Sequence, residues 1–201
     1  MNLVRVIAIL AFWAPTASAL ATEAATITRL QGQAQVDGNA LQQGSRLSTG
    51  ATVATGQGGR AEIRFDDGTV VVLGENAALN VESFRYAPEA AQGEARLRMD
   101  KGAFLITTGA VAKLPGRPWS VATPLASIGV RGTKFWGGSL DNPLDVLLLE
   151  GAITVATPGG SADLNNPLEG TDVPAPGAAP STVGTWKPQR VERALNSVSF
   201  Q

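Results

Sequence analysis

The chain has 201 residues, with sixteen Lys and Arg against seventeen Asp and Glu, so it lacks the basic excess needed to coat phosphate backbones, and nucleic acid is excluded as an expected partner. It holds no cysteine and no histidine, which removes disulfides, thiolate nucleophiles and the commonest metal ligands, and no cofactor or metal is expected. Twenty-three glycines and twelve prolines, with much Ala, Val, Thr and Leu, point to short strands joined by tight turns.

The N-terminus carries one positive charge in Met1-Asn2-Leu3-Val4-Arg5, an apolar run from Val6 to Trp13, and small residues spaced as Ala17-x-Ala19. These are the three parts of a secretory signal peptide, so residues 1–21 read as an address label cleaved after Ala19 or Ala21. The apolar run falls well short of the ~20 residues that span a bilayer. Later apolar runs are short too, Val146 to Leu149 being bounded by Asp145 and Glu150. The expectation is a periplasmic or extracellular protein with no stable membrane insertion after cleavage.

Residues 22–157 read as one β-domain. In Arg60-Ala61-Glu62-Ile63-Arg64-Phe65 the charges fall on one face and Ala61, Ile63 and Phe65 on the other, as a half-buried strand requires. Asp66-Asp67-Gly68 turns this strand into Thr69-Val70-Val71-Val72-Leu73, which is apolar on both faces and therefore predicted to lie centrally. Alternation recurs in Ala95-Arg96-Leu97-Arg98-Met99 and in Trp119 to Thr123. The runs Asp145 to Glu150 and Ala152 to Ala156, parted at Glu150-Gly151, read as another hairpin. Strands this short and closely spaced suggest an all-β fold, a sandwich or rolled sheet.

Residues 158–186, with Val173-Pro174-Ala175-Pro176-Gly177-Ala178-Ala179-Pro180 among them, read as a surface linker because they have little to bury. Residues 187–201 regain a pattern: Pro188 is placed to open a short helix in which Val191, Leu195 and Val198 share a face. So short a helix is marginal alone and is expected to dock, on its own domain by preference or else on a partner.

Four segments in order resemble the FecR domain family, whose members occur in bacterial envelope sensing. They are Gly44 to Gly56 with its paired turn glycines, Gly59 to Thr69, Lys101-Gly102-Ala103-Phe104, and Thr123-Pro124 followed by Ile128-Gly129-Val130-Arg131-Gly132-Thr133-Lys134-Phe135, with Glu150 to Val155 downstream. The resemblance implies an all-β, jelly-roll-like sandwich outside the cytoplasm. It also marks a departure, because family members that act as iron-uptake regulators carry a cytoplasmic sigma-factor-holding segment, an internal membrane span and a further small domain. This chain is expected not to signal to a cytoplasmic sigma factor by itself.

The candidate binding residues are Arg131, Thr133, Arg60 and Arg64. Arg131 could offer its planar donor fork to a carboxylate or phosphate, against the plainer reading that Gly132 marks a bulge and its neighbours serve the sheet. Arg60 and Arg64 flank Glu62 in a small charged patch, most simply a solvated face. Asp66 and Asp67 suit a turn better than calcium, which takes six to eight oxygens as a rule. Asp145 with Glu150 is the one carboxylate pair a hydrolase reading could use, and their odd offset sets them on opposite strand faces. Trp119, Phe135 and Trp136 would make a sugar platform only if exposed; Trp119 and Phe135 read as core, with Trp136 facing the other way. The expected role is therefore a non-catalytic module that binds another envelope protein, with glycan binding as the alternative and a carboxylate hydrolase behind it.

Overall fold

A computed structural model describes residues 22–116 and 119–201; the expected signal segment lies outside them. Among the described residues, sixteen strands form one continuous curled sheet, followed by the single α-helix Pro188–Asn196. The fold is all-β, as the alternating runs predict.

One half of the sheet runs Asn39–Ala40, Ala34–Val36, Thr52–Thr55, Ala78–Ala87, Gln92–Lys101 and Trp119–Ala122. The other runs Phe104–Thr107, Val70–Leu73, Arg60–Phe65, Glu23–Gln31 and Arg46–Ser48. Phe65 and Phe84 lie far apart along the strand order, yet their rings meet at 5.0 Å, because the halves curl face to face over a shared core. Ile27, Ile63, Leu79, Leu97 and Ile106 fill that core and are at most 1% exposed.

The hairpin of Ser127–Gly138 and Leu144–Thr157 joins the two halves. Its first strand pairs with Trp119–Ala122 at its beginning and with Phe104–Thr107 at its end. The register shifts between Arg131 and Lys134, where Gly132 takes φ +62°, and opposite stands Gly151 at φ +81°. This bulge is the corner at which the ladder leaves one half for the other. The expectation of a hairpin turn at Glu150-Gly151 is thereby corrected: Leu144–Thr157 is a single bent strand, paired along both parts with Ser127–Gly138. A glycine at positive φ bends a strand as readily as it reverses one, and the local residues do not distinguish the two.

The linker reading of 158–186 is also corrected. Gly160–Leu164 and Glu169–Val173 pair with the two ends of Leu144–Thr157, and Gly184–Thr185 adds to the second of these. In Gly160–Leu164 only Leu164 is buried, so no apolar alternation announces a strand that is held by backbone pairing to a partner already in place.

Val70–Leu73 lies centrally, paired on both edges. Val71 and Leu73 enter the main core, while Val72 faces outward into a second apolar cluster with Leu105, Trp136 and Leu147. The C-terminal segment covers this cluster. Pro188 occupies the first turn, where its missing N–H costs nothing, and Val191, Ala194 and Val198 pack down beside Trp186. The helix therefore docks on its own domain.

Candidate functional site

The four expected binding residues are dispersed. Arg131 is exposed at the corner, and Lys134 stands half-buried on the same strand. Among the described residues neither makes an ion pair, although Lys134 lies opposite Glu150 in the ladder. Thr133 is turned inward: its N–H donates to Thr108 Oγ1 at 2.8 Å, and its carbonyl accepts from the Thr108 N–H at 2.9 Å. Its own hydroxyl is buried with no hydrogen-bond partner among the described residues. The corner is thus pinned from inside, with its cations outside.

Arg64 is exposed and reaches Glu62 only at 4.0 Å, a weak surface pair. Arg60 departs from the solvated-face expectation: it is 8% exposed, with its guanidinium donating to the Gly59 carbonyl at 2.8 Å. Strand alternation assigns a side but not an exposure, and the Arg60 Nε is buried with no hydrogen-bond partner among the described residues. Asp66 and Asp67 belong to the turn. Asp66 accepts a fork from Arg46 at 2.9 and 3.0 Å, while buried Asp67 accepts the Thr69 N–H at 2.8 Å and the Val111 N–H at 3.1 Å.

The most elaborate polar cluster was not among the expected sites. Asp145 is fully buried and accepts the N–H groups of Leu140, Asp141 and Asn142 at 2.7, 3.0 and 3.1 Å, which ties the hairpin loop to its own strand. Its other oxygen accepts from Arg190 at 2.9 Å, and Arg190 also donates to Asp172 at 2.6 Å. The Arg190 guanidinium lies 3.9 Å from the centroid of the Trp186 ring, which itself rests on Gly170. Burial presses the Asp145 carboxyl upward, but the Asp141 N–H, the Asn142 amide and the neighbouring N–H groups outweigh it and hold the group below the usual carboxylate value. Burial pushes Asp172 up; the Arg190 hydrogen bond pulls back and the Asp145 carboxylate adds to the rise. The arrangement is a clamp that fixes the helix start to the sheet.

Glu150 is exposed, whereas Asp145 is enclosed, so the two carboxylates do not converge on a common cleft. Trp119, Phe135 and Trp136 are each at most 1% exposed and cannot form a sugar platform. Trp136 does face away from Phe135, into the helix-covered cluster, where its indole N–H donates to Ser197 Oγ at 3.1 Å.

The family described as FecR protein matches residues 51–154, a little over half of the chain. No curated protein matches. Two crystal structures of a proposed anti-sigma factor from Parabacteroides distasonis ATCC 8503, at 1.65 and 2.50 Å resolution, are similar in fold, with TM-scores of 0.57 and 0.55 at 19% and 20% identity. Each comparison covers 72% of this chain and 64% or 63% of the other, so the chain spans slightly less than two thirds of those structures. At such identities the likeness is one of fold.

Proposed function

The chain belongs to the FecR protein family, and on that premise we propose that it is a non-catalytic protein-binding or sensing module of the bacterial cell envelope, periplasmic or extracellular in location. One observation carries the reading: the matched segment contains a pinned corner whose cations, Arg131 and Lys134, make no ion pair among the described residues. Unpaired donors on a fixed backbone suit an acidic protein surface, where a guanidinium fork adds geometric selectivity. Support against catalysis comes from three acids, two of them buried and Asp172 partly so. Asp67 holds a turn, and Asp145 with Asp172 holds the helix, so the fold has already engaged them. The signal-like residues 1–21 support the location.

The test is affinity capture of the tagged, exported protein from its own cells after mild crosslinking, with mass spectrometry of what stays attached. One envelope protein recovered in stoichiometric amount is expected. Co-sedimentation with peptidoglycan and no protein partner would instead move the assignment to glycans.

A further inference from the structure

At one end of the curled sheet four chain segments meet around a cavity of about 380 Å³, lined by Met99 to Gly102 with Phe104, by Thr123 to Leu125, and by the ends of the Gly138–Leu144 turn. The volume lies at the small end of ligand-binding sites, which run roughly 300–1,000 Å³. Beneath it lie core side chains: Met99, Phe104 and Leu144 line it while being only 2%, 1% and 5% exposed. Phe104 is held edge-on to Phe135 at 6.0 Å and lies directly on Gly137, where a methyl group would meet its ring. Gly102, at φ +84°, lets the wall pass against Ala77. The floor is therefore preformed.

The polar groups at the rim narrow the chemistry. Thr123 Oγ1 is used within its own turn, accepting the Ala126 N–H at 2.9 Å and donating to the Ala126 carbonyl at 3.0 Å. Ser139 Oγ donates to the Asn142 carbonyl at 2.9 Å. Asp100 is taken by Arg98 at 2.7 Å. Lys101 lines the cavity beside Asp100 and makes no ion pair among the described residues, so it is the one basic side chain of the lining available to an anion.

We propose that this cavity binds a small amphiphilic carboxylate, its apolar chain seated on Met99, Phe104, Leu125 and Leu144 and its carboxylate paired with the Lys101 ammonium. The site goes beyond protein binding at the Arg131 corner and stands or falls separately from it. An aliphatic chain suits a lining made mostly of apolar groups, and a single carboxylate suits one ammonium better than a doubly charged head that needs several donors.

Calorimetric titration of the full exported protein with hexanoate, octanoate and decanoate, and with octanol as the uncharged match, tests this. Octanoate is expected to bind more tightly than octanol. Lys101→Glu should weaken octanoate about tenfold while leaving octanol unchanged, the size of one charge-assisted contact. Leu125→Trp, which fills the mouth, should abolish both. Thermal melts of both variants, expected to match the parent, establish that the fold is retained. Absence of octanoate binding up to millimolar concentration in the parent, an equal loss of octanol binding in Lys101→Glu, or undiminished binding in Leu125→Trp would each overturn the proposal.

Discussion

The two halves of the sheet bury their inner faces in the same way, but their outer faces differ. On Ala78–Ala87 and Gln92–Lys101 the outer face carries Glu82, Arg96, Arg98 and Asp100, all exposed, with ion pairs such as Arg98 to Asp100 at 2.7 Å. On Val70–Leu73, Phe104–Thr107 and the hairpin strands it carries Val72, Leu105, Trp136 and Leu147, closed over by Trp186, Val191, Ala194 and Val198. A face made of charges is complete in water. A face made of valine, leucine and tryptophan needs a cover, and the clamp of Arg190 on Asp145 and Asp172 holds that cover in place.

The sharpest way to break this contrast is at the clamp. Asp145→Ala removes a buried charge from Arg190 and strands three loop N–H groups, which should cost about 3–5 kcal/mol in urea unfolding, together with binding of a hydrophobic dye as Trp136 is uncovered. Next in size is the corner between the halves. Gly151→Ala places a methyl group at positive φ against the Gly132 carbonyl and should cost about 1–3 kcal/mol by the same measurement.

The acid limb of stability sharpens the comparison further. Asp145 is held below the usual carboxylate value, so its stabilisation is present above that value and is lost as pH falls through its folded pKa. Asp172 is raised, so its cost at neutral pH disappears as pH falls through its own, higher, folded pKa. Asp145→Asn should therefore flatten the acid-side loss of stability, and Asp172→Asn should steepen it, in unfolding series from pH 7 to pH 3. The smallest effect is expected on the charged face, where Arg98→Ala should leave the urea midpoint unchanged, since its partners are exposed.

Both outer faces were legible in the residues themselves. Ala95-Arg96-Leu97-Arg98-Met99 alternates and proves one-sided, whereas Val70 to Leu73 is apolar throughout and proves central, with Val72 under a second layer. The helix face at Val191 and Val198 supplied that layer. What pattern could not show was the pairing of charges distant in sequence: Asp145 interrupts an apolar run, which hints at a buried acid, but nothing local names Arg190 as its partner. Gly151 looked like a turn because a bend and a reversal need the same backbone freedom. Gly160–Leu164 was hidden because an edge strand held by backbone pairing needs no apolar face. Of the candidate residues, Arg131 was marked by its place in the Val130 to Thr133 string, while the burial of Arg60 is set by tertiary packing that strand alternation does not specify.

The central claim is tested most directly by crosslinked affinity capture with the parent protein beside the Arg131→Ala, Lys134→Ala double variant, their matching melts confirming equal folding. The account predicts one envelope protein captured in stoichiometric amount by the parent and at least about tenfold less by the variant, the scale of losing one or two charge-assisted contacts. Equal recovery by both, or no specific protein with either, would contradict it.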